Sequence, residues 1–522
     1  MRNTLPILPG YYPDPSICRV GDTFWLVSSS FESFPALPVH RSTDLIHWEQ
    51  VGHVYERPST LPLPLGDAPS MGTFAPCIRY HDGVFHVVVT NMGAQPLGQV
   101  IVSTTDPAAG WGEPVMVPDT PGIDPDLFWD EEGTCHLTWR DLGMRDGQFA
   151  GAISHVTIDP STGERTGEQS ALWGGSGGRD AEGPHLYRRR GWWYLLLAEG
   201  GTGLGHMVTM ARARSLEGPW EECPTNPVLT HRSTDHPVQA TGHADLVPLD
   251  GEGDGDWDGE RFAMVHLGIR QRDPFPGVHV NGRETFLQGV DWSGDWPVVV
   301  EETYAEAVAE REAAAPRSFT DALTGEPGPV AEGDAPWSLG DAWVSPGGLA
   351  RPGLSRDAQG RLHLTAPEDP DASRPLIGVR ARDEAWRAEV TLTPGEGGAG
   401  ELLVYLDPAH WAAVRTDGTA VSAVVRIGPL CQELGAPVPA AGPVRLVLTC
   451  ERPDPTSMFN RKVDEIVLGL REEEAEGGVR EIARLDGRHL STEVAGGFTG
   501  RLVGVRALAG STRVEDFSYA AG

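Results

Sequence analysis

One short pattern, a tight polar turn followed by an aromatic or β-branched strand, recurs five times between residues 21 and 269. The glycine of each turn, or its equivalent, lies at positions 21, 83, 133, 191 and 259, so the copies are roughly 50 to 70 residues apart. Self-similarity at this period is typical of propeller blades and not of a doubly wound sheet. The sequence therefore predicts an all-β chain that begins with a five-bladed β-propeller.

The residues that open the strand before each turn are the candidate functional positions. In a propeller the innermost strand of every blade begins near the central axis, so equivalent positions converge although they are distant in sequence. Here they read Asp14, Ala75, Asp124, Glu182 and His243. Three carboxylates and one imidazole are therefore expected at one axial pocket, and glycoside hydrolysis by two carboxylates requires such a convergence.

Composition restricts the class of partner and the number of domains. A chain of 522 residues predicts more than one domain. Its 74 acidic and 41 basic residues give a net charge of −33, which argues against nucleic acid or an anionic membrane as partner and favours a neutral substrate.

Cysteine usage and the N-terminus predict a cytoplasmic protein. The N-terminus shows no signal-peptide pattern, and no stretch of about 18 apolar residues occurs. Six cysteines without a C-x-x-C pair are expected to be reduced and mostly buried. A structural zinc site is not expected from them, and no metal ligand is assigned.

A second domain is predicted after Val300, where the composition of the sequence changes. Residues 301–317 have helical propensity, and residues 321–340 are rich in glycine, proline and acidic residues. Beyond them, many short alternating runs predict an antiparallel β-sandwich. The predicted organisation is a propeller over 1–305, a linker over 306–320 and a sandwich over 321–522.

Several motifs, taken together and in this order, carry a family resemblance. They are L-P-G-Y-Y-P-D-P-S-I at 8–17, G-I-D-P-D-L-F at 122–128, E-G-P-H-L-Y at 182–187, T-G-H-A-D-L at 241–246, G-R-E-T-F-L-Q at 282–288 and L-S-T-E-V-A-G-G-F-T-G at 490–500. This set resembles glycoside hydrolase family 43, particularly its bacterial β-xylosidases and α-L-arabinofuranosidases. The last motif extends the resemblance to a concanavalin-like sandwich, so nearly the whole chain is covered.

The resemblance implies an inverting exo-glycosidase with three catalytic carboxyls. Asp14 would be the base that deprotonates water, Glu182 the acid that protonates the leaving oxygen, and Asp124 the residue that modulates the pKa of the acid. Glu182 must stay protonated near neutral pH, which requires burial or a neighbouring negative charge. An Asp-Pro pair alone is most often a turn, but three acids at equivalent blade positions favour catalysis.

Four further residues are implied in substrate binding. Phe31 and Arg283 match family positions near the glycone, as an aromatic wall and a guanidinium fork. Phe74 stands where many relatives have tryptophan, which leaves the glycone preference open. Phe498 either reaches across from the sandwich to close the pocket or is a core residue between glycines.

His243 is the remaining candidate in the pocket, with two interpretations. It is either a hydrogen-bonded axial histidine or a substrate-site residue that contacts Asp14 or, through water, a calcium ion at the propeller axis. No cofactor is otherwise required.

The sequence thus predicts an enzyme, a β-xylosidase that releases xylose from the non-reducing end of short β-1,4-xylooligosaccharides. α-L-Arabinofuranosidase activity is expected either as a further or as the main activity, since both glycones present similar hydroxyl patterns. Two different functions compete with this prediction, a non-catalytic carbohydrate-binding propeller and an endo-arabinanase. Three mutually repelling carboxylates argue against the binding propeller, and a domain that plugs one end of a groove argues against the endo-arabinanase. A homo-oligomer is compatible with the sequence, which does not specify it.

Overall fold

The structure, a computed structural model, describes most of the chain. It leaves out residues 1, 61–68, 95, 146–147, 150, 251–258, 273–276, 317, 331–336, 348–352, 370–373, 453–461 and 473–477. Its first part contains five successive four-stranded antiparallel sheets. Their strands, blade by blade, are Ser16–Val20, Thr23–Val27, Ala36–Ser42 and Glu49–Tyr55; Cys77–His81, Val84–Thr90, Gln99–Thr104 and Val115–Val117; Gly122–Trp129, Cys135–Asp141, Ile153–Ile158 and Ser170–Ala171; Glu182–Arg189, Trp192–Glu199, Met207–Ala213 and Glu221–Glu222; Val238–Pro248, Arg261–Arg270, Glu284–Asp291 and Val298–Val300.

The five sheets close into a ring. The first strand of each blade contacts the first strand of the next, and that of blade five contacts that of blade one. A small hairpin of Met144–Arg145 and Gln148–Phe149 extends from blade three. The predicted five-bladed propeller is therefore confirmed, and the first strands surround its axis.

Tight turns at the sequence repeats fix the pairing of the first two strands in each blade. At Asp82–Gly83 and Arg190–Gly191 both central residues have positive φ, from 47° to 82°, as type I′ turns require. These turns match the twist of the flanking strands, so the repeated turn signal sets the register of its hairpin.

The second part of the chain is a sandwich of two antiparallel sheets. One has nine strands: Ser318–Asp321, Gly328–Pro329, Leu354–Arg356, Leu362–Thr365, Trp386–Pro394, Val444–Glu451, Glu465–Arg471, Val479–Asp486 and Ser511–Ala521. The other has six: Leu376–Arg380, Ala399–Asp407, His410–Thr416, Ala420–Ile427, Leu430–Pro439 and Leu502–Ala509. One large apolar cluster fills the space between them, which confirms the predicted sandwich.

The segment between the two parts is more ordered than a linker. It contains a helix at Ala305–Ala314, whose Val308 packs into the core between blades one and five. The strand Ser318–Asp321 already pairs with the last strand of the sandwich. The predicted linker, 306–320, therefore holds the helix and the start of the sandwich, and the domain boundaries stay predictions.

Short helical segments complete the described structure. A 3₁₀ turn at Gly487–Leu490 and a short α-helix at Thr492–Ala495 precede the loop that carries Phe498. No helix in the described ranges is long and apolar enough to span a membrane. All six cysteines are free thiols, and only Cys431 among them is exposed.

The sandwich is joined to the propeller by contacts of several kinds. The strand Ser345–Pro346 pairs with Ser33–Phe34 of the propeller. Arg380 Nε donates to the carbonyl oxygen of Tyr11 at 3.1 Å, and its guanidinium carbon lies 4.8 Å from the centre of that ring. Because these contacts bury aromatic side chains of the propeller, the two parts depend on each other.

We expect a chain that ends at residue 315 to be insoluble or inactive. Its propeller would expose Tyr11 and Phe34, which are 1% and 0% exposed in the full chain. Solubility and hydrolysis of an aryl glycoside measure the effect. Phe498→Ala in the full chain is the control: it should stay soluble and lose roughly tenfold in kcat/KM, because one apolar pocket wall is removed. A soluble truncated chain with full activity would contradict both expectations.

Candidate active site

Backbone strain marks the axial end of four blades. Asp14, Asp124, Gly183 and His243 all adopt positive φ, between 46° and 57°. Asp14 precedes its strand, whereas the other three lie where the pairing of the first strand shifts register. For the three non-glycine residues this conformation is unfavourable, and it persists only where the surroundings hold it, as at functional sites. Gly183 is confined in addition, because a Cβ there would lie 3.1 Å from the His243 ring.

Glu182 lies at a different position along its strand from the one that the sequence motif indicates. The structural equivalent of Asp14, Asp124 and His243 in blade four is Gly183, so Glu182 lies one residue earlier than expected. Register shifts after Ile123 and after Glu182 interrupt the strand pairing at both places. Glu182 still reaches the pocket, from the position that Ile123 occupies in blade three.

A single cavity of about 280 Å³ brings together every residue predicted for the site. Its walls include Asp14, Phe31, Phe74, Ala75, Asp124, Glu182, His243, Arg283 and Phe498. The axial position of blade two is occupied by Ala75, which has no carboxylate, as the sequence indicated. The catalytic and binding roles of these residues stay predictions, but their convergence is a feature of the fold.

Asp14 is buried and held on three sides. Ser29 Oγ donates to Asp14 Oδ2 at 2.5 Å, and Arg283 Nη1 donates to Oδ1 at 3.0 Å. His243 Nδ1 lies 3.6 Å from the same Oδ1. Burial raises the pKa of Asp14, but the nearby Arg283 charge leads a set of interactions that outweigh it, so the pKa is lowered. Asp14 is therefore ionised at neutral pH, as a general base must be.

The surroundings of Glu182 shift its pKa in the direction opposite to that of Asp14. Burial is the largest influence and raises its pKa to about 7, against the opposing charge of Arg140. The negative charges of Asp14 and Asp180 raise the pKa further. Glu182 therefore keeps its proton over much of the range in which Asp14 is ionised.

Asp124 is the third carboxyl of the pocket, and its pKa is raised as well. Burial, followed by the charges of Glu182 and Asp14, raises its pKa well above the ordinary value. Asp124 Oδ2 accepts a hydrogen bond from the Gly183 amide at 3.2 Å. Two carboxyls this close hold at least one proton near neutral pH, so Asp124 can influence Glu182 as a neutral partner as well as a charge.

Arg140 and Asp180 are site residues that the sequence motifs did not indicate. Arg140 Nη1 donates to Glu182 Oε2 at 2.9 Å, and its Nη2 donates to Asp180 Oδ1 at 3.1 Å. Arg140 is the strand partner of Ile123, next to Asp124. The hairpin pairing of blade three could therefore have located it, because cross-strand neighbours share a site.

We expect Arg140→Gln to move the alkaline limb of the kcat/KM profile to higher pH. Arg140 favours the ionised form of Glu182, so its removal raises the pKa of the acid. Asp180→Asn is the matched variant and should shift the pKa of Glu182 in the opposite direction, because the charge of Asp180 raises that pKa. Its alkaline limb should move to lower pH. If the alkaline limbs of the two variants stay in place, or move in the same direction, Arg140 does not control the pKa of Glu182.

An aromatic wall and one guanidinium line the rest of the pocket. Phe498 lies with its ring centre 5.5 Å from Phe31 and 5.9 Å from Phe74. The Arg283 guanidinium carbon is 5.2 Å from the Phe498 ring centre, and Arg283 Nη1 also donates to Thr202 Oγ1 at 2.9 Å. The Phe498 amide donates to Ser70 Oγ at 2.8 Å. Phe498 thus reaches the pocket from the sandwich.

The axis below the pocket is filled by Arg79. Its neighbours are Ser16, Cys77, Asp126 and Asp245, each two positions after a pocket residue, and His185, three positions after Glu182. Arg79 Nη2 donates to Asp126 Oδ1 at 2.7 Å and Nη1 to Asp245 Oδ2 at 2.8 Å. These two carboxylates, both buried, are therefore already paired with a cation.

Calcium at the axis, predicted near His243, does not fit these side chains well. Calcium prefers six to eight oxygen ligands, but Arg79 holds Asp126 and Asp245 while Arg283 holds Asp14. Burial lowers the pKa of His243 to about 4, so its ring is neutral. Among the described residues, the contact of His243 with Asp14 is better supported than calcium, which stays a prediction.

Comparison with known proteins gives a family match for the propeller part of the chain. The model of the family Glycosyl hydrolases family 43 matches residues 3–297. A xylosidase/arabinosidase of Butyrivibrio fibrisolvens is 43% identical over 303 residues, which are 56% of either chain. A non-reducing end alpha-L-arabinofuranosidase of Bacteroides ovatus is 42% identical over 308 residues, 57% of this chain and 54% of that protein. The chain thus aligns with about half the length of these curated relatives.

Solved structures are similar over both parts of the chain. A xylan beta-1,4-xylosidase from Bacillus halodurans has a TM-score of 0.82 at 27% identity, and the match covers 99% of this chain and 100% of that one. A protein of the same family from Bacillus licheniformis has a TM-score of 0.81 at 26% identity, covering 100% of both chains. The combination of propeller and sandwich is therefore shared with these proteins.

Proposed function

This chain belongs to glycosyl hydrolases family 43, and from that premise we propose that it is an inverting exo-glycosidase. One observation carries the proposal: two carboxyls in the same pocket have pKa values pushed in opposite directions. Asp14 is held ionised by Arg283, whereas Glu182 is held protonated by burial. Such a separated pair supplies the base and the acid of glycoside hydrolysis at neutral pH.

The reaction assigns one proton transfer to each carboxyl. Asp14 accepts a proton from water as the water oxygen bonds to the anomeric carbon. Glu182 donates its proton to the glycosidic oxygen as the bond from that oxygen to the anomeric carbon breaks. The water attacks from the face opposite the leaving group, so the anomeric configuration is inverted.

Exo action is supported by the shape of the pocket. Phe31, Phe74 and Phe498 line a cavity of about 280 Å³, slightly below the roughly 300–1,000 Å³ that small-molecule sites occupy. Such a cavity suits one terminal sugar better than the middle of a polymer. The sandwich loop places Phe498 in the wall of this cavity, against Phe31 and Phe74.

The proposed substrate is a short β-1,4-xylooligosaccharide, from whose non-reducing end xylose is released. α-L-Arabinofuranosides are the second candidate, because one curated relative named above is described as a xylosidase/arabinosidase and the other as a non-reducing end alpha-L-arabinofuranosidase. Phe74 bears on this choice, since it contributes to the aromatic wall that the glycone contacts.

Parallel assays decide the substrate. We expect p-nitrophenyl β-D-xyloside and xylobiose to be hydrolysed with higher kcat/KM than p-nitrophenyl α-L-arabinofuranoside. Proton NMR of early xyloside hydrolysis should show α-xylose first and β-xylose only by mutarotation. Early β-xylose, or transfer of xylose to added methanol, would indicate a covalent intermediate and contradict Asp14 as base. No hydrolysis of either glycoside would favour a binding propeller.

A cytoplasmic location is proposed as well. Five of the six cysteines are buried free thiols, as expected in a reducing compartment. Fractionation of the native host with an antibody to the chain would test this location, and recovery from the culture medium would contradict it.

A further inference from the structure

Two histidines and a glutamate meet at the end of blade five, outside the pocket. His231 and His236 belong to the loop before the strand Val238–Pro248, and Glu301 directly follows the strand Val298–Val300. One ligand-type atom from each of these three side chains lies within 4.8 Å of the others. None of the three lines the catalytic cavity, so the cluster needs an explanation of its own.

The distances are close to those of a metal site. His231 Nε2 lies 3.1 Å and His236 Nε2 4.0 Å from the same oxygen, Glu301 Oε2. The two rings have centres 3.8 Å apart and are tilted by 36°. Zinc bonds of about 2.0–2.1 Å in a tetrahedral site separate neighbouring ligand atoms by roughly 3.3 Å. The distance from His231 Nε2 to Glu301 Oε2 is close to this separation, and the distance from His236 Nε2 to the same oxygen is about 0.7 Å longer.

Hydrogen bonding leaves the inner nitrogen of His231 available. Its Nδ1 lies 2.8 Å from the carbonyl oxygen of Val238, which can only accept, so Nδ1 carries the proton. With Nδ1 as the donor to Val238, Nε2 is the nitrogen that lies toward the Glu301 carboxylate. Two electron-pair donors facing each other at 3.1 Å require a proton or a cation between them.

His236 supplies an independent observation that points to a ligand. The residue is 5% exposed, and its Nε2 has no hydrogen-bond partner among the described residues. Its Nδ1 lies 3.1 Å from the Val238 carbonyl oxygen and 3.2 Å from the Val238 amide nitrogen, so the ring is fixed. A buried, unpaired nitrogen that faces a carboxylate is costly without such a ligand.

We propose that His231, His236 and Glu301 bind a divalent transition-metal ion, Zn²⁺ in the first instance. Two imidazoles and one carboxylate suit zinc, with water at the fourth position, and do not suit calcium or magnesium, which prefer oxygen ligands. The ion would tie the loop at 231–236 to the segment that leaves the propeller for the helix Ala305–Ala314. Its role would be structural. The ligands contain no cysteine, so the cysteine spacing in the sequence does not indicate this site.

Metal titration of the tag-free, full-length protein tests the proposal. After chelator treatment and removal of the chelator, calorimetry with ZnCl₂ should show one bound equivalent, and Zn²⁺ should raise Tm by about a few degrees. Co²⁺ should give the visible absorption of a tetrahedral site. His236→Gln and Glu301→Gln should each weaken binding by roughly 10-fold or more.

Control variants separate this site from other histidines and from the pocket. His47→Gln removes an exposed histidine that contacts Asp44 at 2.8 Å, and it should leave zinc affinity unchanged. Asp14→Asn should also bind zinc normally, so failure of the proposed hydrolase function would not affect this result. If His236→Gln does not fold, Glu301→Gln still decides, because the Glu301 side chain is 34% exposed. Absence of zinc binding, or unchanged affinity in Glu301→Gln, would overturn the proposal.

Discussion

Asp14→Asn is expected to reduce kcat on a β-xyloside by about 10²- to 10⁴-fold or more while the fold survives. Asparagine has nearly the same shape but cannot take a proton from water at neutral pH. The amide oxygen can keep the contact with Arg283, and the amide nitrogen can donate to Ser29 Oγ in place of the carboxylate oxygen that accepts from it in Asp14. Initial rates at saturating substrate, with Tm of both proteins, measure the effect. Turnover near that of the unsubstituted chain would remove Asp14 from the role of base.

Chemical rescue distinguishes two possible roles of Asp14, accepting a proton from water and positioning Arg283. Arg283 is buried beside Asp14 and would be displaced in Asp14→Ala. Added formate or azide can enter the space left by the side chain and act as an external base or nucleophile. We expect it to restore part of the activity of Asp14→Ala and none of that of Glu182→Gln. Rescue of neither variant, together with a large rise in KM, would indicate that Asp14 only positions Arg283.

The propeller could be predicted because its signals are local. Each blade begins with a hairpin whose turn is encoded by adjacent residues, such as Asp82 and Gly83, and both have the positive φ that such a turn requires. Equivalent positions converge in any closed ring of blades, so Asp14, Asp124 and His243 could be placed at one axis without knowing a single long-range contact.

Other features depend on contacts that local patterns do not contain. Glu182 lies one position from its expected place because the pairing of its strand shifts between Glu182 and His185, which depends on the neighbouring strand. Arg140 contacts Glu182 across 42 residues, and Arg79 contacts Asp245 across 166. The positions of such charged side chains are set by tertiary packing, so the sequence alone did not reveal them.

The pKa pattern illustrates the same limit. The sequence required a protonated Glu182 and attributed this to burial or to the charge of Asp124. In the structure burial is the largest cause, and the pKa of Asp124 is itself raised. The acidic partner therefore depends on the closed pocket, including Phe498 from the sandwich, because solvent access would weaken the effect of burial.

Glu182→Gln is expected to lose activity in a way that depends on the leaving group. Glutamine cannot donate a proton to the glycosidic oxygen, so xylobiose, whose leaving alcohol is weakly acidic, should be hydrolysed about 10²- to 10⁴-fold more slowly or worse. An aryl xyloside with an acidic phenol needs little protonation and should lose much less. Asp14→Asn provides the contrast, because loss of the base slows both substrates alike.

The pH profile gives a second, independent readout for the same variant. The pKa of Glu182 is raised to about 7, so rates should fall above that pH in the unsubstituted chain as the acid loses its proton. In Glu182→Gln no such proton remains, and the alkaline limb should disappear for the aryl xyloside. The acidic limb should persist, because it reports protonation of Asp14, whose pKa is lowered. Equal losses on both substrates with an unchanged alkaline limb would show that another group protonates the leaving oxygen.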